Sequence, residues 1–182
     1  MSQPPGGAMS SLEQLRSLLG EPEVWGWARP ELWAASERRL GVSLPLDYKA
    51  FMDLYGPGGI DEYLWLIRPM DSTAVELDQL WSLEGRRRAR SEAPDLYPYP
   101  FHPDSGGLIP WGSDEQGSAY YFLAAERKPE EWRIVVHSEC NDWYETAGTF
   151  TDFLTRCFDR TDRPPFMARA WPRSGAGYVS LA

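Results

Sequence analysis

LGVSLPLDYKAFMDLYGPGGI, residues 40–60, is the stretch whose reading decides the fold. Pro45 stands where a first helical turn tolerates proline, because the N–H it lacks would have had no intrahelical partner. Leu44, Tyr48, Phe51, Met52 and Tyr55 then recur at three- and four-residue spacing, which sets one apolar stripe against a core. Gly56, Pro57, Gly58 and Gly59 stop the helix by supplying left-handed geometry and then forbidding continuation. Tyr63-Leu64-Trp65-Leu66-Ile67 follows at once and reads as a strand. No nucleophile, metal cluster or phosphate loop interrupts this unit. It defines a fold, not a chemistry.

Working outward, Ser10 and Glu13 have the spacing of a capping box and open a short helix through Leu12, Leu15, Leu18 and Leu19 to Gly20. A second helix is predicted from Pro30 through Leu32, Trp33, Ser36 and Leu40 to Gly41. Beyond the strand, Pro69 breaks the chain and Ser72 is placed to cap a fourth helix carrying Val75, Leu77, Leu80, Trp81 and Leu83. Residues 94–106 are rich in proline and end in glycine, so they are loop. Four strands are then expected, at Leu108–Trp111, Ala119–Ala124, Trp132–His137 and Asp142–Glu145. Their short connections favour an antiparallel meander. A last helix from Thr149 to Asp159 aligns Phe150, Phe153, Leu154, Cys157 and Phe158 on one face.

This order predicts an α+β domain: a mixed, mainly antiparallel sheet of five to six strands with helices packed against it. Its length suits one domain, placed at residues 11–160. Residues 1–10 read as a disordered N-terminal segment. Residues 161–182 read as a flexible or loosely docked C-terminal tail, with Trp171 and Tyr178 leaving docking open.

Composition narrows the function classes. No run approaches the ~20 consecutive apolar residues needed to span a bilayer. The first residues, MSQPPGGAMS, lack the basic and apolar regions of a secretory leader, which predicts a cytoplasmic location. The net charge is −9, and residues 11–160 hold 15 basic and 26 acidic groups, a net −11. That sign argues against nucleic acid and anionic membrane, and favours a basic protein partner by raising encounter rates. The two cysteines, Cys140 and Cys157, do not make a disulfide framework, and Cys157 is expected buried on a helix.

The landmarks also follow a known order. Trp33 and Glu37 precede Leu40-Gly41, Leu44-Pro45, Asp47-Tyr48, Phe51, Tyr55-Gly56 and Gly59-Ile60. Then come Leu108-Ile109-Pro110-Trp111-Gly112, Asp114, Gly117, Trp132 to Val136, Trp143 and the closing Thr149 to Leu154. Over roughly residues 30–160 this resembles the SUKH superfamily, which holds the fungal cell-wall synthesis regulator and many bacterial immunity proteins. The resemblance implies an α+β binding domain without established catalysis. Many bacterial members are thought to neutralise a polymorphic toxin, often a nuclease, and fungal members act as regulatory scaffolds. An acidic inhibitor suits a basic nuclease.

Specific chemistries find little support. Asp114, Glu115 and Gly117 lack the oxygen series of a calcium loop and read as a hairpin turn. His102, His137, Cys140 and Cys157 include one x2 spacing but no paired zinc pattern. No nucleophile elbow or phosphate loop occurs, and pairs such as Asp61-Glu62 are common in a chain 25% charged. No catalytic, cofactor or metal residue is therefore assigned.

Aromatics divide between core and surface. Trp33, Trp65, Trp111 and Trp132 fall inside elements, whereas Trp25, Trp27, Trp81 and Trp143 are better surface candidates. The Tyr97-Pro98-Tyr99-Pro100-Phe101 run is a docking segment or a lid over the sheet. Arg86, Arg87, Arg88 and Arg90 read as a solvated helix end. The expected function is a cytoplasmic immunity protein that binds a basic toxin domain stoichiometrically. Its candidate contacts are the acidic groups of turns and strand ends: Asp61, Glu62, Asp114, Glu115, Asp142 and Glu145. A regulatory scaffold is the alternative, followed by a sugar- or small-ligand-binding module using the Trp and Tyr set. Oligomeric state is left open.

Overall fold

The computed structural model describes residues 10–24, 26–67, 74–124 and 128–181, with side chains of the stretch 74–92 described from Leu83 onward. The described elements run α1 (Ser11–Leu19), α2 (Pro30–Leu40), α3 (Leu46–Tyr55), β1 (Gly58–Ile60), β2 (Leu64–Leu66), α4 (Ala74–Glu92), β3 (Leu108–Asp114) and β4 (Ala119–Leu123). A 3-10 turn (Pro129–Glu131), β5 (Arg133–His137), β6 (Trp143–Thr146), α5 (Phe150–Asp159) and β7 (Tyr178–Ser180) complete the chain. Ser72, expected to cap α4, and the side chains of Val75, Leu77, Leu80 and Trp81 lie outside the described residues.

Local signals explain the helix ends. Ser10 and Glu13 form a reciprocal capping box on α1, and Thr149 with Asp152 does the same on α5. Gly41 takes left-handed geometry after α2, and Gly56, also at positive φ, follows α3. Side-chain staples then lock the helices together. Trp33 Nε1 donates to Asp53 at 2.7 Å, and Glu37 accepts from Lys49 at 2.7 Å and from the Leu44 N–H at 2.9 Å. Asp47 accepts from both the N–H and the hydroxyl of Thr151, at 2.7 and 3.0 Å, tying α3 to the start of α5. Trp33, Glu37 and Asp47, landmarks of the sequence pattern, are thus architectural.

The strands form one sheet in the order β6-β5-β4-β3-β2-β1-β7, with every neighbouring pair antiparallel. Alternation along the strands divides their side chains between two faces. Ile109 and Trp111 of β3, Tyr120 and Phe122 of β4, and Ile134 and Val136 of β5 meet Leu15, Trp33, Tyr48, Phe51, Phe150 and Phe153 from α1, α2, α3 and α5. On the other face Leu108, Tyr121 and Val135 pack with Leu83 of α4 and Phe101. The Tyr97–Phe101 segment is therefore a lid on this second face. Tyr97 and Tyr99 set their rings against Trp143, at 6.2 and 5.3 Å between centroids.

Among the described residues seven strands replace the five to six expected, for two physical reasons. Gly58 and Gly59, expected only to stop a helix, are also the start of β1, where the missing side chains let other groups in. A Cβ on Gly59 would stand 2.7 Å from the Trp65 ring that crosses it, and one on Gly58 would collide with the Val179 carbonyl. The second extra strand is β7, which pairs with β1 through Gly58↔Ser180, Gly59↔Val179 and Ile60↔Tyr178.

The segment beyond α5 is held by specific contacts. Trp171 is buried and stacks on Tyr63 with centroids 5.2 Å apart. Arg163 donates to the carbonyls of Met167, Ala168 and Trp171, and the Tyr178 hydroxyl donates to the Gly56 carbonyl at 2.5 Å. Arg163 thereby satisfies loop carbonyls that pair with no strand. Composition rich in Pro, Gly and Arg left docking open without naming its site, because Tyr63 and β1, which receive Trp171 and β7, lie more than 100 residues upstream.

Candidate protein-binding surface

Antiparallel order places three hairpin turns at the same end of the sheet: β1–β2, β3–β4 and β5–β6. In the first, Asp61 and Glu62 both adopt left-handed geometry, with φ of 53° and 52°. In the second, Asp114 Oδ1 accepts the N–H groups of Gln116 and Ser118 at 3.0 Å, and Gly117 takes a φ of 80°. In the third, Ser138 N–H donates to the Asp142 carbonyl at 2.9 Å, and Asn141 takes a φ of 68°.

These turns touch one another. The Glu115 N–H donates to the Tyr63 carbonyl at 3.0 Å, and the Tyr63 hydroxyl also meets Gln116 Oε1 at 3.0 Å. Gly117 lies against Glu139, so that a Cβ there would come within 3.2 Å of a carboxylate oxygen. With strands ~4.8 Å apart, the first and third turns are separated by roughly 20 Å. Glu62, Glu115, Glu139 and Asp142 are exposed along this row.

The structure distributes the six acidic candidates unevenly. Glu62, Glu115 and Asp142 face solvent on the row. Asp61 is at the row but its side chain is only 12% exposed, with the guanidinium of Arg173 3.6 Å away and the Arg173 N–H bonded to it at 3.0 Å. Asp114 is buried and works inside the protein: besides its two turn N–H groups, it accepts from the hydroxyls of Tyr120 at 2.8 Å and Tyr63 at 3.2 Å. Both phenols are pushed up, Tyr63 to about 12, chiefly by burial, with Asp114 adding to it. Glu145 stands apart on the α4 face of β6, paired with Arg133 at 2.8 Å and with the Tyr99 hydroxyl at 2.6 Å. Glu139 was not singled out from sequence. Its signal was only its place in the short connection between two predicted strands.

Behind the row, α4 and the sheet enclose a cleft. A space of about 420 Å³ is lined by Gly85, Arg86, Ala89, Tyr97, Gly117, His137, Ser138 and Glu139. Arg86 departs from the expected solvated cluster. Arg87 pairs with Asp104 and Arg88 with Glu92, both at 3.1 Å on the exposed side, whereas Arg86 turns inward to His137 Nδ1 at 2.7 Å. Among the described residues no group of three or more His, Cys, Asp or Glu side chains is placed to hold a metal ion. Cys140 is exposed in the third turn and Cys157 is buried on α5. Of the tryptophans, Trp33, Trp111, Trp132 and Trp171 are buried, and Trp27, Trp65 and Trp143 are partly covered. The side chains of Trp25 and Trp81 lie outside the described residues.

Comparison with protein families matches residues 28–156 to the SMI1 / KNR4 family (SUKH-1), and the chain belongs to that family. Comparison with curated proteins and with solved structures gives no match. The matched stretch runs from the approach to α2 into α5, so α1 and β7 lie outside it. No described helix is long and apolar enough to cross a membrane.

Proposed function

We propose that this SUKH-type domain is a non-catalytic immunity protein, acting in the cytoplasm, that neutralises a basic toxin domain by stoichiometric occlusion. The observation that carries this reading is the convergence of three hairpin turns at one end of the sheet, with Glu62, Glu115, Glu139 and Asp142 exposed along them. Each turn backbone is already closed by its own hydrogen bonds, so a docking partner has to order the carboxylate side chains but little of the chain that carries them. Their field steers a basic surface toward the row, and the contact excludes the toxin's own substrate. A nuclease toxin fits best, since its surface is built for phosphate and a row of carboxylates competes for it.

The test is to look for a toxin gene beside this one and to co-express its toxin domain with the protein. The expected result is a one-to-one complex and restored growth, with an association rate that falls as salt rises. A wild-type protein that neither binds that toxin nor restores growth would remove the reading for that pair.

A further inference from the structure

We infer that His137 is a proton-operated latch between α4 and the β5–β6 turn, closed while its imidazole is neutral and released when the ring takes up a proton. The geometry fixes the closed form. A guanidinium has N–H donors and no acceptor, so the 2.7 Å contact from Arg86 requires a lone pair on His137 Nδ1. The remaining proton is then on Nε2, where it is donated to Asn141 Oδ1 at 2.9 Å. Asn141 is a left-handed residue of the turn, so one ring ties the helix to a side chain of the turn. The imidazole is stacked on Trp143 at 3.9 Å between centroids, with planes 15° apart, and Tyr97 closes its edge at 5.7 Å. This sandwich holds the ring where both bonds form.

Protonation converts Nδ1 into a donor facing a donor, and places two cations at hydrogen-bond distance. The Arg86 contact cannot survive that change. Each element packed around the ring brings a charged or titratable group toward it. From α4 comes Arg86, which also lies over the Tyr121 ring at 5.7 Å. The turn contributes Asp142 and, across the cleft, Glu139; the lid contributes the Tyr97 phenol. Burial is the largest influence on His137 and holds it below the ordinary histidine value of 6.5; the Asn141 bond opposes this, Arg86 reinforces it and Asp142 opposes it. Acid release would free Arg86 to leave the cleft wall and loosen the turn that carries Glu139 and Asp142. That last consequence rests on the proposed partner surface; the latch itself does not.

The full-length protein without any partner serves for the test. The chain has two histidines, so imidazole nitrogen spectra give two resolvable sets. At about pH 8, His137 is expected as the Nε2–H tautomer. As the pH is lowered from about 8 until the His137 ring takes up its proton, amide protection factors at residues 138–142 and 83–92 should fall about tenfold, in step with that titration. His137→Gln, whose amide oxygen still accepts from Arg86, should hold protection flat. Arg86→Met should raise the His137 midpoint. An Nδ1–H tautomer at pH 8, a ring that titrates with no loss of protection, or an equal loss in His137→Gln would each overturn the latch.

Discussion

The phenol of Tyr63 donates to Asp114 Oδ2 at 3.2 Å, joining the β1–β2 turn to the β3–β4 turn across 51 residues of chain. The same carboxylate accepts from Tyr120, Gln116 and Ser118, so one buried group organises two of the three turns. Removing it takes the acceptor from the Tyr120 hydroxyl and two N–H groups, while the Tyr63 hydroxyl keeps Gln116 Oε1 at 3.0 Å. Asp114→Ala should therefore cost about 3 kcal/mol, measured by urea denaturation. The exposed neighbour Glu115→Ala should stay within ~0.5 kcal/mol. Equal effects at the two positions would contradict the assignment of Asp114 to the interior.

Gly58 carries a different demand. The Val179 carbonyl and the Tyr178 ring both crowd the place a Cβ would occupy, the ring at 2.6 Å. Gly58→Ala should push β7 off β1 and destabilise the fold by about 2 kcal/mol. Limited proteolysis reads the effect directly: cleavage after Arg169 and Arg173 should accelerate relative to the parent protein. An unchanged cleavage rate would mean that β7 does not depend on this close approach.

The two thiols should behave as opposites. Cys140 is exposed in a turn, whereas burial pushes the Cys157 thiol up to about 12. At pH 8 a thiol reagent should titrate one group rapidly in the native protein and two after denaturation. Two fast groups in the native protein would show that α5 opens readily from the core.

Acid should destabilise the protein through its histidines. Burial is the largest influence on both His102 and His137 and lowers both below 6.5; near His102, Arg87 adds to it and Asp104 opposes it. The unfolded chain then binds more protons than the native one, so stability falls as pH drops below the ordinary histidine value and levels off under the folded values. Urea midpoints measured from about pH 8 to pH 5 should decline in that window. In a double His→Gln variant the decline should shrink. A decline of undiminished size would assign it to other groups.

Capping and periodicity make the helices legible in the sequence itself. Ser10 with Glu13 is a local signal, satisfied within four residues. Tyr48, Phe51, Met52 and Tyr55 show their common face through spacing alone. What stays hidden depends on pairing between distant segments. Gly58-Gly59 is a strand only because Trp65 and Val179 fill the space its side chains leave. Tyr178 is ordered by Phe51 and Tyr55, more than a hundred residues earlier. The acidic set is readable as charge, but charge does not reveal orientation. Asp114 and Glu145 point into internal bonds, and Glu139 emerges beside Gly117 only once the sheet aligns the second and third turns.

The most direct measurement is titration of a basic toxin domain, taken from a toxin gene found beside this one, with the parent protein and with the variant Glu62→Lys, Glu115→Lys, Glu139→Lys, Asp142→Lys. All four positions are exposed, so circular dichroism and the urea midpoint should remain close to the parent's. The parent should bind one-to-one and restore growth, while the variant should lose at least about a hundredfold in affinity, equivalent to about 2.7 kcal/mol, and fail to protect. A folded variant that binds and protects as well as the parent would place the interface elsewhere on the domain.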